Sequence, residues 1–123
     1  MIKDLLLVGL GGGLGSMLRL LTSRLSLRFI SSDWALVGTF IANVVGCFLI
    51  GLLVGYLLPN IDKNEGLSLL LVTGFCGGYT TFSAFAYENV QLWQSGNTIL
   101  SVFYIFFSIA FGLLAVWGGL KLG

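Results

Sequence analysis

Four long apolar stretches alternate with short polar segments along the chain. A helix crosses the hydrocarbon core of a bilayer with roughly 20 mainly apolar residues, and each stretch reaches that length. The pattern predicts a single domain, residues 1–123, of four transmembrane helices at about residues 4–28, 34–58, 66–94 and 98–121. Asp33 is the predicted N-cap of the second helix, and Pro59 is expected to end it.

The third apolar stretch is interrupted by small and hydroxylated residues. Residues 74–83 contain three glycines, two threonines and a serine. Glycine adopts backbone angles that other residues avoid, and threonine and serine can bond the backbone groups that a helix break frees. The pattern predicts that helix 3 is broken near residues 75–81, where freed carbonyl groups can coordinate a cation. The alternative is a glycine-rich packing face without a site.

Small residues four positions apart recur in three of the four stretches. This spacing lets helices approach closely in lipid, within one chain or across a dimer. The pairs are Gly9/Gly13, Gly11/Gly15, Gly51/Gly55 and Gly74/Gly78.

The composition is that of an all-α integral membrane protein, with 57% hydrophobic and 9% charged residues. The sequence has no histidine, the usual general base, and no evident pair of carboxylates, so an enzyme is not expected. A net charge of +1 gives no reason to expect a nucleic-acid partner. Trp34, Trp93 and Trp117 lie near helix ends, where tryptophan commonly anchors a helix at the headgroups of the lipid bilayer.

The basic residues are shared equally between the two sides of the predicted bundle. The side with both termini has Lys3, Lys63 and Lys121, and the opposite side has Arg19, Arg24 and Arg28. The positive-inside rule therefore gives no preferred orientation. This balance permits an antiparallel homodimer, although a small protein with few charges would show it as well.

Three helices have polar or aromatic faces at membrane depth, where such groups often mark a site. Hydroxyl and amide donors together with the positive edges of aromatic rings favour a small anion. The absence of lysine and arginine deep in helices 2 to 4 implies weak binding, which suits conduction. The faces are Thr39 and Asn43 on helix 2, Phe82, Phe85 and Glu88 on helix 3, and Ser101, Tyr104 and Ser108 on helix 4. Each face also has a simpler explanation in helix packing.

Three segments, Gly11–Arg19, Gly38–Gly51 and Gly74–Phe85, resemble the Fluc family of fluoride channels. The resemblance extends over all four helices, and the Gly-Gly-x-Thr-Thr-Phe-Ser core of the third segment is its most specific part. It implies a dual-topology, antiparallel homodimer with two pores in the inner (plasma) membrane. Such a channel exports cytoplasmic fluoride and so confers fluoride resistance.

The resemblance also assigns roles to individual residues. It implies a fluoride pore lined by Asn43, the ring edges of Phe82 and Phe85, and the hydroxyls of Thr39, Tyr104 and Ser108. Arg19 corresponds to the arginine of the family near the vestibule. Glu88 is a further vestibule candidate from its position on helix 3, where it faces either the vestibule or a neighbouring helix. The backbone carbonyls of Gly77 and Thr80 correspond to those that hold a central sodium ion at the dimer interface. Gly112 lacks a hydroxyl that some members have, which predicts a shorter outer polar track.

One rival function is a small proton-coupled exporter of the multidrug type. Glu88 would then exchange protons for a cationic substrate, but its place late in helix 3 counts against this. Another alternative, a scaffold subunit without transport, predicts neither polar faces nor a broken helix.

Overall fold

The computed structural model describes residues 1–31 and 34–123. Within these ranges the chain is helical with short connections and contains no strand. The elements are α1 (Ile2–Phe29), α2 (Leu36–Leu57), a 3₁₀ segment (Leu58–Lys63), α3 (Glu65–Ser68), a π-helix (Leu69–Cys76), α4 (Gly77–Tyr79), α5 (Phe82–Gln94) and α6 (Thr98–Leu122).

The prediction of an all-α protein with four membrane-crossing helices is confirmed. Four helical spans are long and apolar enough to cross a bilayer: Ile2–Phe29, Leu36–Lys63, Glu65–Gln94 and Thr98–Leu122. Pro59 falls in the 3₁₀ segment directly after α2. The predicted N-cap Asp33 lies outside the described residues.

The third span changes its backbone conformation twice. A π-helix of eight residues follows α3, and such segments frequently occur at functional sites. Between α4 and α5 the backbone is extended at Thr80 (φ -83°, ψ 155°) and Thr81 (φ -149°, ψ 118°). The Thr81 hydroxyl accepts a hydrogen bond from the Ala84 amide at 3.2 Å, so Thr81 is the N-cap of α5.

The backbones of α1 and the third span are in direct contact, since glycines line both surfaces. A Cβ atom at Gly11 or Gly15 would overlap with the carbonyl oxygen of Leu70 or Phe75, respectively. On the facing surface, a Cβ atom at Gly78 would overlap with the backbone of α1. The contact holds α4, and the extended residues after it, against α1.

A second glycine contact joins α2 to α6. A Cβ atom at Gly51 would overlap with the carbonyl oxygen of Val116, and one at Gly119 with that of Phe48. By contrast, Gly9 and Gly13 have no neighbouring atom within 4 Å of their Cβ positions. The predicted pair Gly9/Gly13 therefore lies on a face of α1 that contacts no other helix of the described chain.

Substituting Gly15 tests the contact between α1 and the π-helix. Gly15→Ala would push a methyl group into a backbone carbonyl, which cannot turn aside as a side chain can. We expect the free energy of unfolding to fall by about 1–3 kcal/mol, the usual cost of overpacking. The measurement is thermal unfolding of the purified protein in detergent.

The matched control is Gly13→Ala, on the same helix but with open space at its Cβ position. Its stability should stay constant or rise by up to about 1 kcal/mol, because alanine favours helix over glycine. Equal unfolding temperatures for the two variants would contradict the close contact.

Candidate functional site

Asn43 of α2 holds the extended residue Thr81 through two hydrogen bonds. Its Nδ2 donates to the Thr81 carbonyl oxygen at 3.1 Å, and the Thr81 amide donates to Oδ1 at 2.7 Å. Backbone groups at membrane depth must find partners within the protein, and the Asn43 amide supplies both. One N–H of Nδ2 stays available for another acceptor, because an amide nitrogen carries two donors.

Arg19 of α1 holds the other end of the extended segment. Its Nε donates to the Gly78 carbonyl oxygen at 3.0 Å, with the Ser16 hydroxyl 3.5 Å from the same oxygen. A cation is favourable there, since the carbonyl end of a helical segment carries partial negative charge. The Thr22 and Tyr79 hydroxyls add a further hydrogen bond of 2.9 Å between α1 and α4.

The extended backbone leaves two carbonyl groups without their usual helical partners. In a continuous α-helix, the carbonyls of Gly77 and Thr80 would accept from the amides of Thr81 and Ala84. Those two amides donate instead to the side chains of Asn43 and Thr81, respectively. Two carbonyl oxygens near the same bend are suitable ligands for a hard cation. No cluster of three or more His, Cys, Asp or Glu side chains occurs among the described residues.

Glu88 joins three helices through its carboxylate. The Thr39 hydroxyl of α2 donates to Oε2 at 3.0 Å, and the Tyr104 hydroxyl of α6 donates to Oε1 at 3.1 Å. The structure therefore brings a predicted vestibule residue into contact with two predicted pore residues. Spacing along the chain does not indicate this pairing, because each residue lies on a different helix.

Aromatic rings continue the site along α5. The ring centroids of Phe82 and Phe85 are 6.0 Å apart, and Phe85 meets Tyr104 edge to face at 5.1 Å. Phe85 is half-buried, whereas the Phe82 side chain is 79% exposed. The Phe82 ring therefore contacts Phe85 but is left largely uncovered by its own chain.

A cavity of about 630 Å³ collects most of the predicted pore residues. Its wall includes Asn43, Thr80, Thr81, Phe82, Phe85 and Ser108. The Ser108 hydroxyl is buried and has no hydrogen-bond partner. Because buried polar groups are nearly always hydrogen-bonded, this hydroxyl is a candidate to bind a ligand in the cavity. Gly77, the other predicted cation ligand, lines the same cavity.

A second cavity of about 280 Å³ lies beside Arg19. Ser23 and Thr39 also line it, and Thr81 lines both cavities. Arg19 thus contacts a recess in the protein surface as well as the Gly78 carbonyl. We refer to Glu88, Thr39 and Tyr104 as the Glu88 cluster. The predicted site residues line the two cavities or belong to this cluster.

Spacing along the chain does not identify Thr81 as a residue of the site, nor does it identify the partners of Ser101. Thr81 was placed only within the break, although a threonine before the start of a helix is a recognisable N-cap signal. Ser101 lies on the helix face of Tyr104 and Ser108, and its hydroxyl bonds to Asn89 and Trp93. The indole N–H of Trp93, a predicted headgroup anchor, bonds within the protein.

Replacing Asn43 tests whether its amide holds the extended backbone. Asn43→Leu roughly keeps the side-chain volume but removes both hydrogen bonds to Thr81. Since each bond contributes about 1 kcal/mol, we expect the Thr81 amide to exchange with deuterium about tenfold faster or more. The amides in the middle of α6 serve as the internal reference. Unchanged protection of Thr81 would show that another group satisfies its N–H.

Comparison with known proteins agrees with the resemblance found in the sequence. Residues 6–120 match the family model described as CrcB-like protein, Camphor Resistance (CrcB). The chain is 44% identical over 119 residues to a fluoride-specific ion channel FluC of Flavobacterium psychrophilum, covering 97% of this chain and 95% of that protein. It is 47% identical over 116 residues to a protein of the same name from Azobacteroides pseudotrichonymphae, covering 94% and 92%. The predicted resemblance is confirmed, and the chain belongs to the CrcB-like protein family.

Proposed function

We propose that this multi-pass membrane protein is a fluoride channel and not an enzyme. Both named relatives are fluoride-specific ion channels, and the match spans nearly the whole chain. The observation that carries the proposal is the larger cavity, in which the Asn43 amide, two phenylalanine rings and the unpartnered Ser108 hydroxyl come together. It is built for a small anion, since its polar groups include donors and its aromatic rings have positive edges.

Fluoride is held in this cavity by partial charges alone. The second Nδ2–H of Asn43 and the Ser108 hydroxyl donate hydrogen bonds, and the edges of Phe82 and Phe85 complete the shell. Neither α2 nor α5 contains a lysine or arginine, so no full positive charge on them traps the ion. Binding of this kind is weak enough to allow release, which conduction requires.

The cavity beside Arg19 forms the vestibule of the proposed pathway. The guanidinium raises the local anion concentration through its field, even though its Nε is bonded to Gly78. Thr81 lines both cavities, which supports a route from one to the other.

The Glu88 cluster is the part of the pathway that must rearrange. The hydroxyls of Thr39 and Tyr104 donate to the Glu88 carboxylate, so neither can donate to fluoride in the same geometry. A fluoride ion that accepts the hydrogen bonds of these two hydroxyls replaces the Glu88 carboxylate, which then turns away. Thr39 and Tyr104 therefore bind fluoride only in exchange with Glu88.

The functional unit is an antiparallel homodimer in the inner membrane, with two pores that export cytoplasmic fluoride and confer fluoride resistance. Equal numbers of basic residues on the two sides of the bundle support insertion in both orientations. The 79% exposure of Phe82 supports a second copy, because a partner can cover this ring and complete the wall around the ion.

A sodium ion is proposed at the dimer axis, bound by the carbonyls of Gly77 and Thr80. The diversion of their helical amide partners to side chains supports this assignment. Two copies related by a twofold axis supply two carbonyl oxygens each, which makes a set of oxygen ligands suited to a hard cation. Bound there, the ion would balance the negative ends of carbonyl dipoles and tie the two copies together.

Ion efflux from liposomes containing the purified protein tests the proposed function. We expect rapid fluoride efflux and no chloride efflux, each followed with an ion-selective electrode. Replacing sodium by N-methyl-D-glucamine throughout purification and assay should reduce both fluoride efflux and the dimer fraction if the cation is required. A folded dimer without fluoride efflux would contradict the channel, and Glu88-dependent transport of an organic cation driven by a pH gradient would instead establish the exporter.

Removing the ring edges tests the role of the two phenylalanines. Phe82→Ile and Phe85→Ile stay apolar but lose the aromatic quadrupole. An aromatic edge contributes about 0.5–1.5 kcal/mol, so each variant should slow fluoride efflux by about twofold to tenfold. Phe106→Ile, an exposed position of α6 outside the larger cavity, is the control and should conduct like the parent. Parental efflux in both Phe82→Ile and Phe85→Ile would exclude ring edges from fluoride coordination.

A further inference from the structure

A chain of hydrogen bonds connects α5 to α6 outside the two cavities. The Trp93 indole N–H donates to the Ser101 hydroxyl at 2.7 Å, and that hydroxyl donates to Asn89 Oδ1 at 2.7 Å. The Asn89 Nδ2 then donates to the Phe85 carbonyl oxygen at 2.8 Å. We refer to Asn89, Trp93 and Ser101 as the Asn89 network.

Two of the three residues of the network are the buried polar residues of the described chain, whereas the Trp93 side chain is 52% exposed. Asn89 is 3% exposed and Ser101 is fully buried. Neither residue lines either of the two cavities of the site. Direct contact with the ion therefore does not explain why Asn89 and Ser101 are buried in the bundle.

The network lies next to the contacts that Tyr104 makes with Phe85 and Glu88. Glu88 precedes Asn89, and Tyr104 follows Ser101 by three residues. The Glu88 and Phe85 side chains both meet Tyr104, while the Asn89 network joins the same two helices in the adjacent layer. The same hydrogen-bond chain also reaches the backbone of Phe85 directly.

Apolar side chains at these positions would also hold two helices together, but they tolerate rotation and sliding. Hydrogen bonds depend on direction, and a fully bonded buried network favours one arrangement. Interhelical polar contacts of this type are a recognised way to join membrane helices. The rotation of α5 about its axis decides where the Phe85 ring and the Glu88 carboxylate point.

We propose that Asn89, Trp93 and Ser101 are positioning residues, which fix α5 against α6 so that Phe85 and Glu88 meet Tyr104. The effect on transport rests on the proposed fluoride channel, whereas the hydrogen-bond chain is a property of the fold. Without the network, Phe85 and Glu88 are still present on α5, but they no longer meet Tyr104 in the same geometry.

A double-mutant cycle on fluoride efflux tests this proposal. Ser101→Ala removes the hydroxyl at the centre of the network, and we expect efflux to slow by about fivefold to tenfold. Tyr104→Phe removes the hydroxyl that bonds to Glu88 but keeps the ring that Phe85 contacts. If Ser101 acts by aligning α5 with Tyr104, the loss in the double variant should be clearly smaller than the product of the two single losses. Independent, multiplicative losses would overturn the proposal.

Two further variants separate positioning from general loss of structure. Ser101→Thr retains the hydroxyl and should restore most of the efflux. Ser26→Ala is the matched control, because the Ser26 hydroxyl bonds only to the backbone of its own helix at Thr22, and it should conduct like the parent. A parent that fails to conduct would refute the channel itself, whereas a conducting parent with an equally fast Ser101→Ala would refute only the positioning role.

The fluorescence of Trp93 provides a readout that is independent of transport. Trp34→Phe and Trp117→Phe, both at exposed positions, leave Trp93 as the sole tryptophan. Its emission maximum should move in Ser101→Ala, where the indole N–H loses its acceptor, and stay at the parental wavelength in Ser101→Thr. An emission maximum that does not respond to Ser101→Ala would show that the indole is not bonded to Ser101.

Discussion

The two hydrogen bonds between the Asn43 amide and the Thr81 backbone are the interaction on which the rest of the site depends. An extended backbone inside a bilayer cannot use water as a partner, so its polar groups must be satisfied by the protein. Asn43 meets this requirement on one side of the bend, and Arg19 supports the carbonyl end of α4 on the other. Together they keep Gly77 and Thr80 where their carbonyls are free.

The glycine contacts supply the rigid frame for this arrangement. The backbone of α1 touches that of the third span, and α2 touches α6 in the same manner. Contacts between backbones have no rotatable groups, so they fix helix positions more tightly than contacts between long side chains. Asn43 and Arg19, which come from these helices, therefore contact the bend with little freedom of position.

Hydropathy sufficed to predict the four spans, and helical spacing sufficed to predict which polar residues share a face. The residues that each face contacts on another helix could not be predicted, because spacing along one helix does not determine which neighbouring helix the face meets. The sequence pattern indicates Thr39, Tyr104 and Glu88 as polar positions, but not that Glu88 accepts hydrogen bonds from both hydroxyls. The π-helix could not be predicted either, because a change in the backbone hydrogen-bond register leaves the composition and the apolar pattern of the sequence almost unchanged.

The unpartnered hydroxyl of Ser108 has a consequence for how such a protein can change during evolution. Asn43 both supports the backbone and faces the cavity, so any new side chain there alters the frame together with the chemistry. The Ser108 hydroxyl forms no hydrogen bond to any described part of the structure. In the proposed pore, a substitution that alters permeability therefore disturbs the fold less at residue 108 than at residue 43.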